Sequence, residues 1–146
     1  MFLMESYYVD ACIYLNLWKK EVDEFGNLLW KFAKEFFEKV EKDNSIIYYS
    51  GFLLKELMFV LNTEEYLNKM EMFELSPNFR KVILFKEEYE KAQRLKNTFT
   101  SDVSLFDIIH VLLANKTKSI FVTRDRELIE FSKKMNIEVK KPEELL

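Results

Sequence analysis

Four carboxylates carry most of the chemistry that this sequence can support. Asp10, Glu56, Asp107 and Asp125 are far apart along the chain, yet each lies within an apolar stretch or at the end of one. Asp10 closes the run Tyr7-Tyr8-Val9, and Asp125 follows Ile120-Phe121-Val122 after Thr123 and Arg124. Read as strands, the two runs bring both acids to the carboxyl edge of a parallel sheet, where open α/β sheets bind ligands. Glu56 and Asp107 interrupt two helix-like segments, 52–61 and 105–114, that are otherwise almost wholly apolar. Phe52, Leu53, Phe59 and Val60, the helical neighbours of Glu56, leave it no polar face, while Asp107 shares a thin polar stripe with Ser104 and His110. Burying unpaired anions is costly, so the pattern predicts a cation shared among them.

Each acid also has a plainer reading. An aspartate between a strand and a helix caps the helix, and taken singly that accounts for Asp10 and Asp125. A structural ion pair would account for Glu56. His110 is the sole histidine and reads as a supporting group, because no second imidazole exists to complete a histidine metal site. Other chemistries fail on residue type. Gly26 and Gly51 are the only glycines, so no glycine-rich dinucleotide turn follows the first strand. Cys12 and His110 are a nucleophile and a base that nothing in the sequence brings together. Asp10 is followed by Ala11 and Cys12, without the second aspartate expected of an aspartyl-phosphate enzyme. An all-oxygen site for Mg²⁺ or Mn²⁺, completed by water and substrate phosphates, remains.

The elements that must position these residues alternate along the chain. Strands are predicted at 7–10, 46–49, 82–84, 119–123 and 137–139. Helices are predicted from 11 through Trp18, then over 27–41, 51–61, 64–73, 86–96, 105–114 and 126–135, with a turn from Pro142. In the second helix Leu29, Phe32, Ala33, Phe36, Phe37 and Val40 recur at helical spacing. The alternation predicts an α/β fold with a mostly parallel sheet of about five strands flanked by helices.

With 146 residues, 49% of them hydrophobic and 16% aromatic, the chain suits one domain spanning 1–146. A single cysteine excludes a disulfide framework and points to a reducing compartment, the cytoplasm. Neither a secretory signal nor an apolar run of membrane-spanning length is readable. Lys+Arg 22 against Asp+Glu 25 gives a net charge of -3, which excludes a strongly basic polyanion binder but allows local cations at Arg80-Lys81, Arg94 with Lys96, and Arg124.

The series Tyr7-Tyr8-Val9-Asp10, Ser50 with Glu56, Asp107-Ile108-Ile109-His110-Val111-Leu112-Leu113-Ala114 and Phe121-Val122-Thr123-Arg124-Asp125 resembles the PIN domain, with the order and spacing of small prokaryotic VapC-type toxins. No single motif is specific; the four together are, and the similarity runs through the ending at Pro142-Glu143-Glu144-Leu145. The resemblance implies a three-layer PIN-like fold and a Mg²⁺- or Mn²⁺-dependent endoribonuclease whose acidic site is Asp10, Glu56, Asp107 and Asp125. Thr123 would lie close by, and Arg124 would meet substrate phosphates. Asp10 and Asp107 are expected as the most direct ligands, with Glu56 and Asp125 acting through water or as orienting groups. Asp102 is a stray acid that reads more simply as part of a solvated turn. An antitoxin partner and a homodimer are implied, with Trp18, Phe25 and Trp30 as candidate contact aromatics. A housekeeping RNA-processing nuclease and a non-catalytic scaffold are the alternatives. Residues 62–97 carry no readable family signature.

Overall fold

The computed structural model describes residues 5–98 and 103–146. Asp102 lies outside them. Five strands, β1 (Ser6–Val9), β2 (Ile46–Tyr49), β3 (Phe79–Lys81), β4 (Ile120–Val122) and β5 (Val139–Lys140), form one sheet in the order β3-β2-β1-β4-β5. Every pairing is parallel. Helices make the crossovers that parallel neighbours require. They are α1 (Ala11–Trp18), α2 (Leu29–Lys42), α3 (Gly51–Val60), α4 (Thr63–Leu75), α5 (Lys86–Thr98), α6 (Leu105–Lys116) and α7 (Arg126–Lys134), followed by a short 3-10 helix, Pro142–Leu145.

Successive strand residues face opposite sides of a sheet, and this chain makes both sides apolar. Tyr7, Val9, Ile47, Tyr49, Ile120 and Val122 enter one core with residues of α1 to α4. Tyr8, Phe121 and Val139 enter a second core with residues of α5, α6 and α7. The result is the expected helix–sheet–helix sandwich. Its central strand is β1: the chain builds outward through β2 and β3, then returns to place β4 on the other flank of β1. The strand order therefore reverses between β1 and β4, and it is at the carboxyl ends of such strands that open α/β sheets form a ligand crevice.

The third strand departs from expectation. The β-branched run 82–84 is not in it; β3 is Phe79–Lys81, with Arg80 and Lys81 exposed. Only Val82 extends the pairing, donating its N–H to the Tyr49 carbonyl at 2.8 Å. β3 is an edge strand, where charged side chains suppress pairing with other chains, so apolar content is a poor guide to it. The last strand is likewise shifted, from 137–139 to Val139–Lys140. The helix of Glu56 also has a surface that was not foreseen: Met58, Phe59 and Val60 are exposed, Phe59 by 72%.

Candidate metal centre

Asp10 is the residue after β1, and Thr123 is the residue after β4, so the two meet across the reversal of strand order. The Thr123 hydroxyl donates to Asp10 Oδ2 at 2.7 Å, and the Ala11 amide donates to Oδ1 at 2.8 Å. The Cys12 thiol adds a weak contact to Oδ2 at 3.4 Å. Asp10 thus caps α1, the plainer reading of it, and also offers a buried carboxylate to the crevice. Burial raises its pKa above the usual aspartate range. The positive tendency of His110 and the Thr123 hydrogen bond pull it back, and the Glu56 charge adds to the rise.

Glu56 reaches the same crevice from α3. Its Oε1 lies 2.6 Å from Nε2 of His110, which is fully buried on α6. His110 Nδ1 is 2.7 Å from the Tyr8 hydroxyl, and that hydroxyl is 2.6 Å from Ser50 Oγ. Ser50 in turn caps α3 by accepting from the Leu53 amide at 3.2 Å. One proton ordering satisfies the whole chain: Ser50 donates to Tyr8, Tyr8 to Nδ1, and Nε2–H to Glu56. Burial pulls the His110 pKa down, but the Glu56 hydrogen bond and the charges of Glu56, Asp10 and Asp107 outweigh it, and the net shift is upward. The partner of Glu56 is the histidine, a hydrogen bond that becomes an ion pair only when His110 is protonated. Among the described residues no Lys or Arg takes the place.

Asp10, Glu56 and His110 each offer a ligand atom, and these atoms lie within 4.8 Å of one another. Asp107, on the first turn of α6, lies outside that group of three and is linked to it through the Asp10 and His110 charges. Its carboxylate accepts from the Ser104 amide at 3.2 Å while Ser104 Oγ accepts from the Asp107 amide at 3.1 Å, a reciprocal capping box. Burial raises the Asp107 pKa, the Ser104 hydrogen bond opposes the rise, and the Asp10 charge reinforces it. The Asp10 and Glu56 charges each raise the pKa of a neighbouring acid, and such a collection of carboxylates suits a divalent cation.

The remaining candidates are engaged elsewhere. Asp125 is exposed and caps α7, accepting from the Glu127 and Leu128 amides at 3.0 and 3.2 Å. It is outside the Asp10–Glu56–His110 group, and its own amide donates to Thr123 Oγ1 at 3.2 Å. Arg124 is a structural pin. It hydrogen-bonds Asn16 at 2.9 Å and Glu143 at 2.9 Å, and it stands 5.9 Å from the Phe32 ring, tying α1, α2 and the C-terminal 3-10 helix to the end of β4. A guanidinium so committed is a poor phosphate clamp. The Tyr8–His110 link was not readable from sequence, because Tyr8 looked like one more apolar strand residue. A lone histidine in the middle of an apolar helix was the one signal available.

The PIN domain profile matches residues 7–134. The chain belongs to the PIN domain family. PIN domains are hydrolases of the nuclease class. Among solved structures the chain is similar to VapBC2 of Rickettsia felis bound to a fragment of its promoter, with a TM-score of 0.66 and 15% identity over 93% of this chain and 98% of that one. It is also similar to Mycobacterium tuberculosis VapC20, described as a sarcin-ricin loop cleaving toxin, with TM-score 0.65 and 16% identity over 85% and 93%. A third likeness is to VapBC-1 of nontypeable Haemophilus influenzae, at 0.62 and 15% over 94% and 98%. At such identities the likeness concerns the fold. No curated protein matches the sequence. Among the described residues, no helix is long and apolar enough to cross a membrane.

Proposed function

We propose that this PIN protein is an endoribonuclease that hydrolyses RNA phosphodiester bonds with Mg²⁺ or Mn²⁺, and that it is the toxin of a toxin–antitoxin pair. The observation that carries the reading is the convergence of Asp10, Glu56 and His110 at the crevice between β1 and β4. Asp10, Glu56 and Asp107 would hold the ion; their donors are hard oxygens and two of the three have raised pKa values. A divalent ion bound there would supply charge to neutralise the phosphoryl oxygens and lower the pKa of water. The protein's own groups supply placement. Thr123 and the Ala11 amide fix the Asp10 carboxylate, and His110 fixes Glu56, so that the acids need no rearrangement to face a substrate. Asp125 would act through water or as an orienting group, its backbone amide also donating to the Thr123 hydroxyl.

The toxin role is supported by the fold's likeness to VapC20, a sarcin-ricin loop cleaving toxin, and to the VapBC complexes. An antitoxin and a second copy of the chain are the protein partners in this reading, and the cytoplasm is the compartment. Phe25 is exposed and available for such contacts, whereas Trp18 and Trp30 are half-buried; the exposed Met58, Phe59 and Val60 of α3 are stronger candidates. The deciding experiment is incubation of purified protein with labelled RNA in Mn²⁺ or Mg²⁺. Cleavage that stops on addition of EDTA is expected. RNA left intact in both metals, with the protein folded, overturns the assignment.

A further inference from the structure

Arg124 stands next to the acidic crevice but is committed to Asn16 and Glu143, so the phosphates of a bound strand need other cations. A groove of about 670 Å³ lies beside the crevice, along α7, β5 and the C-terminal 3-10 helix. Its rim joins the candidate metal centre through Thr123. The Thr123 amide donates to the Lys140 carbonyl at 3.1 Å, and the Thr123 hydroxyl donates to Asp10 at 2.7 Å. Neighbouring strands stand about 4.8 Å apart, so the step from the end of β1 across β4 to the end of β5 is about 10 Å. From the carboxyl end of β4, α7 runs back beside β5, which puts Arg126 at the crevice end of the groove and Lys133 about 10 Å further along it.

The charge of this groove opposes that of the whole chain. Five of its walls are cations and three are carboxylates, an excess of two positive charges in a chain of net charge -3. Arg124 and Glu143 cancel each other at 2.8 Å. Arg126 meets Glu130 at 3.9 Å with side chains 93% and 63% exposed, a pair too solvated to hold its guanidinium in place. Lys133, Lys140 and Lys141 make no salt bridge among the described residues. The remaining acid, Glu144, accepts from the Lys141 backbone amide at 2.9 Å. Lys133 also complements the dipole of α7, and Lys140 guards an edge strand, but neither role requires the lysines to share a groove that leads to Asp10. Ile129 and Val139 are the only apolar walls and no aromatic ring is among them, so the groove suits a charged backbone and offers no platform for stacked bases. Its continuity with the acidic centre favours a nucleic-acid strand over an acidic protein segment.

We propose that Lys133, Lys140 and Lys141, with Arg126, hold backbone phosphates of the RNA to one side of the bond that is cut. The fate of the strand rests on the nuclease reading; its binding does not. Contacts of this kind position a strand without reading its bases. The test is fluorescence anisotropy of a labelled single-stranded RNA in EDTA, over a series of salt concentrations. Each phosphate contact contributes about 0.7 to the slope of log affinity against log salt, so Lys140→Ala with Lys141→Ala should make it shallower by about 1.4. Lys133→Ala should remove about 0.7. Lys140→Arg with Lys141→Arg keeps both charges and should keep the slope, which separates charge from any loss of fold. Lys42→Ala with Lys118→Ala, exposed lysines at the opposite edge of the sheet, should leave it unchanged. With Mn²⁺, the Lys140/Lys141 alanine pair should raise KM for RNA and leave kcat as it was, the mark of binding shared by ground and transition states. Slopes equal in the two alanine pairs overturn the proposal, and cleavage that continues with KM unchanged does so while sparing the nuclease reading. RNA that binds with the expected slopes yet is never cut keeps the groove and removes the nuclease. Polyglutamate whose binding depends on Lys140 and Lys141, with the RNA slope indifferent to them, assigns the groove to an acidic protein segment and overturns the proposal.

Discussion

Asp10 holds two roles that pull its carboxylate in different directions. Capping α1 and accepting from Thr123 favour the charged form, whereas burial disfavours it, and burial wins. A cation beside it would offset the cost of that burial, so Asp10→Asn should reduce RNA cleavage to background while far-ultraviolet circular dichroism stays unchanged. Asp107→Asn should do the same, because an asparagine oxygen can still accept from the Ser104 amide. Retention of native-like turnover in both variants would remove these residues from the site. Glu56 differs, since its carboxylate already has a protein partner at 2.6 Å. Glu56→Gln keeps an acceptor for His110 Nε2–H but loses the charge, so cleavage and Mn²⁺ affinity should fall while the fold persists. His110→Phe should lower Mn²⁺ affinity about 10–100-fold through misplacement of Glu56. Isothermal titration with Mn²⁺ reads this directly; an affinity equal to that of the unsubstituted protein would leave His110 a purely structural group.

At the scale of elements, one hydrogen-bonded chain fastens β1, α3 and α6 together: Tyr8 from the strand, Ser50 and Glu56 from one helix, His110 from the other. The cap of α3 is therefore also a strut of the site. Ser50→Ala removes the cap on Leu53 and a partner of Tyr8, and should cost about 1–3 kcal/mol in urea unfolding, more than an isolated cap. A loss of only a few tenths would mean that Tyr8 needs His110 alone. Sequence made the central elements legible because β1, β2 and β4 pack against helices on both faces and are almost wholly apolar. The edges were obscure for the converse reason: Phe79–Lys81 and Val139–Lys140 pair with one neighbour and carry charge against another, so pattern there reflects avoidance of partners. For the site, Asp10, Glu56 and Asp107 could be read as acids in apolar runs, but Asp125 obeys its capping role and Arg124 its ion pair with Glu143. Whether an acid next to a strand caps or coordinates depends on where its side chain turns, and no spacing along the chain encodes that.

For the molecule as a whole, the site should set how stability responds to pH and metal. Asp10 and Asp107 have folded pKa values above the unfolded aspartate value of about 3.9. Between that value and the raised one the folded state binds more protons than the unfolded state, so stability falls as pH rises through this window and stays low above it. His110, also raised, contributes stability that is complete below about 6.5 and is lost as pH climbs through its folded value. The two effects share a sign. Glu143 has the opposite one: burial would raise its pKa, but the hydrogen bond and charge of Arg124 outweigh that and lower it, so its contribution is present above about 4.3 and is lost only in stronger acid. In EDTA the melting temperature should therefore be higher near pH 5.5 than near pH 8, with a decline at the acid end. Mn²⁺ at pH 8 should restore what deprotonation removed, by about 2.7 kcal/mol at a hundredfold excess over its dissociation constant. At pH 5.5 the gain should be smaller, since protons then compete for the same oxygens. Calorimetry across pH with and without metal tests both halves together; a metal-free melting temperature that rises steadily from pH 5.5 to 8, or a Mn²⁺ gain greater at the acid end, would mean that the acidic crevice is not where the cation binds.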